Sequence, residues 1–143
     1  MHAAGGTLSV VTSGQQAVGQ AQANVGQTQS IFAYAADAVS PNLSPALLGT
    51  SIKIGSTTVA NPDLTPGKTV AAAAQYLKAQ SSNKTSTVVP FIQDYTDTAL
   101  GTGSYKNYTP SDVKAEIAVV KAAGTRGYIL YNPQGSYDFS GLS

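Results

Sequence analysis

T-V-V-P-F-I-Q-D, residues 87–94, decides the fold when it is read with G-Y-I-L-Y-N-P, residues 127–133. Both runs are rich in β-branched and aromatic side chains, and each closes on a polar group, Asp94 in the first and Asn132 in the second. Between them, Thr109 followed by Pro110 is the chemistry of a helix start, and Asp112 adds favourable charge to the first turn. Val113, Ile117 and Val120 then recur at helical spacing until Gly124 supplies the stop, which predicts a helix from Thr109 to about Ala123. Two strands joined by a helix make a right-handed parallel unit, so their carboxyl ends share one rim. That rim sets Asp94 beside Asn132, where parallel α/β proteins keep their binding sites.

The same grammar extends upstream. Thr65-Pro66 repeats the helix start, and Val70, Ala73, Ala74 and Leu77 form the stripe that the helix would bury. Residues Thr7 to Ser13 read as a buried strand ending at Gly14, and Asp37 to Ser40 as a short strand stopped by Pro41. A helix is expected from about Gln22 to Ala35, with Val25, Phe32 and Ala36 near helical spacing, although this glutamine-rich segment also reads as a low-complexity linker. A Pro/Gly/Ser-rich loop fills the chain from residue 41 to Asp63. The order is therefore β-α-β-α-β-α-β, with helices covering a parallel sheet. Connections after helices are short, whereas those after the second and third strands are roughly 15 to 20 residues, the mark of a functional rim.

Composition limits the function classes. The 143 residues suit one domain, 1–143, with residues 1–6 as a tail, and 42% hydrophobic content is ordinary. Only 10% of residues are charged, against roughly 25% in typical soluble domains. Such a weakly charged, hydroxyl-rich surface suits an extracellular or cell-surface protein, or one covered by a partner. A net charge of +1 without a basic cluster gives no support to nucleic-acid binding. The chain has no cysteine, and its one histidine, His2, falls in the tail, so thiolate or histidine metal sites and histidine triads are not expected. No apolar run is long enough to span a membrane, M-H-A-A-G-G lacks the features of a signal peptide, and no cofactor motif is present. N-L-S, N-K-T and N-Y-T fit glycosylation sequons.

Four stretches carry a family resemblance. V-V-P-F-I-Q-D-Y resembles the R-P-W-L-Q-D-F strand, and G-Y-I-L-Y-N-P the closing G-W-I-L-W-N strand, of a bacterial family of glycoside-hydrolase-like domains formerly classed as a domain of unknown function. A-D-A-V-S-P-N is similar to its V-D-Y-V-S-P-M, and A-N-P-D-L-T-P to the N-P-D that opens its next helix. The resemblance runs in order along nearly the whole chain. It implies the last four strands of a (β/α)8 barrel, a TIM-like half-barrel, with an open parallel α/β sheet as the competing architecture. The first four strands, including one with a carboxylate-bearing F-D-Y-x-R-F-P segment, are absent from this sequence. The family's S-A-D-V-F-G reads S-V-V-T-S-G here, and its Y-P-S-H-Y loop reads L-S-P-A-L-L, so several polar groups of a sugar-cleaving pocket are lost.

Glycoside hydrolysis needs two carboxyl groups across the scissile bond. Asp94 is the catalytic candidate by position and by its match to the family motif. Its partner is not evident: Asp97 lies in a loop, Asp63 is read as initiating the helix at Thr65, and Glu116 is read as lying on the solvent face of its helix. Gln93, Asn132, Tyr95, Tyr131 and Ser40 are the candidate sugar-binding residues, and Tyr105, Tyr108 and Tyr137 add to an aromatic cluster that could stack on sugar rings. The expected function is a carbohydrate-binding, glycoside-hydrolase-like domain, catalytically incomplete by itself. A structural, self-assembling protein is the alternative. In either case the bare edges of a half-barrel call for a homo-oligomer or for an N-terminal half-barrel as partner.

Overall fold

The computed structural model describes residues 5–21, 24, 26, 30–33, 36–81 and 84–142. Strand β1, Ser9–Ser13, runs directly into a single helical turn, α1, Gly14–Ala17, capped by Ser13 Oγ, which accepts from Gln16 N at 3.1 Å. This tight exit needs a glycine: a Cβ on Gly14 would stand 2.2 Å from the carbonyl oxygen of Asn42 and 2.8 Å from Leu48 Cδ2. The helix expected from Gln22 to Ala35 falls mostly outside the described residues; near its end, Ile31–Ala33 form a 3₁₀ turn.

Strand β2 spans Ala38–Asn42, so Pro41 does not stop it. Pro41 lies between the bonds Val89 N→Val39 O and Leu43 N→Phe91 O, so its missing donor falls opposite an interruption in the neighbouring strand. The segment expected to be a loop holds more structure than its composition suggests. After a 3₁₀ turn at Pro45–Leu48, strands β3, Ser51–Ile54, and β4, Thr57–Ala60, form an antiparallel hairpin. Ile52 and Ile54 alternate inward, and Gly55, at φ +59°, supplies the turn.

Helix α2, Pro66–Ser81, buries Val70, Ala73, Ala74 and Leu77 as its spacing predicts. The third parallel strand is split by Pro90 into β5, Thr87–Val88, and β6, Phe91–Gln93. Helix α3, Pro110–Ala122, starts with a full capping box, in which Asp112 Oδ2 accepts from Thr109 N at 3.0 Å, and it buries Val113, Ile117 and Val120. Strand β7, Ile129–Tyr131, completes a parallel sheet in the order β1-β2-β6-β7, with β5 also on β2.

The fold is thus α/β with a mostly parallel sheet whose strands follow chain order. Val39 and Ile92, both wholly buried, pack with Val70, Leu77, Val113 and Val120 of α2 and α3 on one face. By register, Val11 and Ile129 share the other face, and they are 60% and 38% exposed. Parallel sheets are normally covered on both faces.

Candidate functional site

β6 ends above a buried polar network. The Gln93 side chain accepts from Ala46 N at 2.8 Å and donates to Asp63 Oδ1 at 2.7 Å and to the Tyr95 carbonyl at 2.9 Å. Its backbone N–H donates to Glu116 Oε2 at 2.9 Å, and Tyr108 OH donates to Glu116 Oε1. Asp63 Oδ2 accepts from Lys106 N at 3.1 Å, and Lys106 Nζ pairs with Asp112 Oδ1 at 2.6 Å. Two readings of the sequence are corrected here. Glu116 is not on the solvent face but wholly buried against β6, because it lies three residues after Val113 and four before Val120, within the buried stripe. Asp63 is also wholly buried, in a 3₁₀ turn at Pro62–Leu64, and it ties the β6 end to the 106 loop; Thr69 Oγ1 instead caps the Thr65 and Pro62 carbonyls at 3.0 Å each.

Burial pushes the Glu116 carboxyl up to about 8, against the hydrogen bonds from Tyr108 and Gln93. The Asp63 carboxyl is raised for the same reason, with donors from Gln93 and Lys106 opposing, and the Tyr108 hydroxyl is raised by burial and by Glu116. Asp112 goes the other way: burial opposes its charge, yet donors from Lys106 and Thr109 hold it below the usual carboxylate range.

Above this network lies the rim. Asp94 N bonds to Tyr131 O at 3.0 Å, continuing the β6–β7 ladder, and Asn132 Nδ2 donates to the Asp94 carbonyl at 2.7 Å. Asp94 and Asn132 are therefore side by side. Asn132 also donates to Ser136 O and accepts from Gln134 N at 2.9 Å, which folds the 132–138 loop back over β6. That loop brings Asp138 N to Asp94 Oδ2 at 3.1 Å. Asp94 is only 8% exposed, and burial raises its carboxyl, with the Asp138 N–H opposing and the Asp138 charge adding to the rise. The Asp138 carboxyl itself is held low by the hydroxyl and N–H of Ser140.

The Tyr95 ring meets Tyr131 edge-on at 5.9 Å, and Tyr131 meets Phe91 likewise at 6.3 Å, so these three pack as one aromatic group at the strand ends. The remaining candidates lie apart from the rim surface. Gln93 is wholly buried and its side chain is bonded at both ends within the protein; Ser40 is buried within β2. Asp97 Oδ1 accepts from Ala99 N at 3.0 Å and caps the Thr98–Leu100 turn.

Sequence reasoning missed Asp138 and Phe139. Tyr137 and Phe139, 40% and 65% exposed, flank Asp138 with stacked rings. The available signal was the D-F pair following N-P-Q-G-S-Y, a turn that returns the chain to the strand end. Among the described residues no three metal-ligating side chains come together, and no helix is long and apolar enough to cross a membrane. What the rim offers chemically is the Asp94 carboxyl, raised by burial, the Asp138 carboxyl, held low by Ser140, an amide, and aromatic faces.

A family model described as "Putative glycosyl hydrolase domain" matches residues 1–137, and the chain belongs to that family. Membership points to a carbohydrate-related function. No curated protein and no solved structure gives a significant match.

Proposed function

We propose, from the premise that the chain is a member of this glycosyl hydrolase family, that it binds carbohydrate along the rim and does not cleave it unaided. The observation that carries this reading is the arrangement at Asp94: a nearly buried carboxyl at a strand end, with the Asn132 amide behind it and Asp138 clasping it. A carboxyl so placed can share a hydrogen bond with a sugar hydroxyl. Hydrolysis, however, needs a second carboxyl about 5 to 9.5 Å away across the sugar. Asp138 belongs to the same side of the site as Asp94, and Asp63 and Glu116 are sealed beneath it. Tyr95, Tyr131 and Asn132 are the neighbouring contacts, while the buried Gln93 ties the end of β6 to Ala46 and Asp63, and Ser40 is buried within β2. The weakly charged surface fits an extracellular setting.

The apolar residues exposed on the outer sheet face favour a second element of the proposal. The exposed Val11 and Ile129, and the places of β1 and β7 at the two ends of the sheet among the described residues, suit a half-barrel completed by four further strands, from a second copy or an N-terminal half. Such a complement could supply the missing carboxyl. Without it, self-assembly is the competing role.

Affinity electrophoresis through gels containing neutral polysaccharides tests the binding function. The wild-type chain is expected to be retarded by at least one polymer without releasing reducing ends, and Asp94→Asn, which keeps the shape, is expected to migrate freely. Unretarded migration of the wild type in every polymer would overturn the proposal.

A further inference from the structure

We propose that Tyr137 and Phe139 form a sugar-stacking platform that takes the apolar face of a neutral pyranose while the Asp138 carboxylate accepts from its hydroxyls; this rests on the carbohydrate-binding reading and extends it to a subsite. The family model matches residues 1–137, which include Tyr137 but not Asp138 or Phe139.

Phe139 is 65% exposed and Tyr137 is 40% exposed. Their ring centroids are 6.2 Å apart with planes only 25° from parallel, so the two rings stack and brace each other, leaving aromatic surface open to solvent, most of it on Phe139. Leaving that surface in water is unfavourable by about 25 cal/mol per Å², yet both rings are held outward by a specific frame. The residue between them is pinned at its backbone, where Asp138 N donates to Asp94 Oδ2 at 3.1 Å. Its carboxylate is pinned too, because Ser140 N and Ser140 Oγ donate to Asp138 Oδ1 at 2.9 and 2.6 Å. The Phe139–Leu142 turn packs against α3, which anchors the whole segment to the core.

The chemistry of the surface selects its ligand. A pyranose has a face of C–H groups that packs on aromatic rings and an equator of hydroxyls that needs acceptors close by. Here the Asp138 carboxylate lies between the two ring-bearing residues, Asn132 opens the same loop, and Asp94 at the end of β6 holds Asp138 N. The Asp138 carboxylate beside the platform disfavours an anionic sugar, which is why the ligand is a neutral one.

The test titrates the full chain with neutral hexasaccharides of the cello-, laminari-, xylo- and manno- series. For the hexasaccharide that the wild type binds, Phe139→Ala is expected to weaken binding by about tenfold. Phe139→Trp keeps a ring, so it is expected to retain the affinity. The chain has no tryptophan of its own, so the Phe139→Trp emission also reports the ligand directly by shifting on binding. Leu142→Ala, at a 42% exposed position on the same turn, is expected to change nothing. Because Phe139 is mostly exposed, each variant should melt as the wild type does. Wild-type affinity retained in Phe139→Ala, or an unmoved emission in Phe139→Trp, overturns the platform and leaves rim binding standing. Absence of binding to every hexasaccharide by the wild type overturns both.

Discussion

Glu116 makes this protein less stable as the pH rises, and Glu116→Gln should abolish that loss. The carboxyl is wholly buried between α3 and β6, and burial lifts it from 4.5 to about 8. Below pH 4.5 it is neutral in both folded and unfolded chains. Between pH 4.5 and about 8 the unfolded chain ionises it while the folded chain keeps the proton, so the unfolded state gains and stability falls. A tenfold difference in proton affinity between the two states is worth about 1.4 kcal/mol, which sets an upper bound of about 5 kcal/mol on the whole loss. The loss is complete above pH 8, where both chains are ionised. Glutamine imitates the protonated carboxyl: its oxygen can accept from Gln93 N, and its amide can donate to the Tyr108 oxygen. Urea unfolding at pH 5, 7 and 9 should therefore give nearly equal stabilities for the two proteins at pH 5 and a Glu116→Gln chain more stable by a few kcal/mol at pH 9. Parallel curves across this range, or a variant less stable at pH 9, would refute a neutral Glu116 and with it the network beneath the rim.

Two other outcomes follow from packing and edges. Gly14→Ala drives a methyl group into the Asn42 carbonyl and Leu48, so a loss of about 2 kcal/mol or more is expected, read as a lower thermal midpoint; an unchanged midpoint would contradict the tight β1–α1 exit. Light scattering after size exclusion is expected to give twice the chain mass, as pairing through β1 and β7, the end strands of the sheet among the described residues, requires, whereas a stable monomer at high concentration would contradict self-completion of the sheet.

The frame of this fold was legible because its signals are local. Thr109-Pro110 with Asp112 marks the start of α3 within one residue, and the alanine-valine-leucine stripe of α2 fixes which face is buried. The adjacency of Asp94 and Asn132 also followed, since parallel topology alone places consecutive strand ends together. What was missed depends on long-range partners. Glu116 has the spacing of a core position, but a carboxyl there makes sense only once Gln93 N and Tyr108 OH are seen to surround it. Gln93 looked available at the rim until Ala46 and Asp63 closed on it from segments 47 and 30 residues away. The β3–β4 hairpin was hidden by the serine, threonine and glycine around it, although S-I-K-I-G-S-T-T-V-A alternates as a hairpin should. Asp138 reaches Asp94 only through the 132–138 loop, whose path is set by Asn132 bonding rather than by any periodicity.

Rim binding is open to a residue-by-residue test, a nitrogen-15 chemical-shift titration of the chain with the neutral oligosaccharide it retains best. Perturbations are predicted to cluster at Asp94, Tyr95, Tyr131, Asn132 and residues 137–139. Shifts confined to the opposite strand ends, around Thr87 and Gly127, or no shifts at saturating sugar, would contradict a carbohydrate site on this rim.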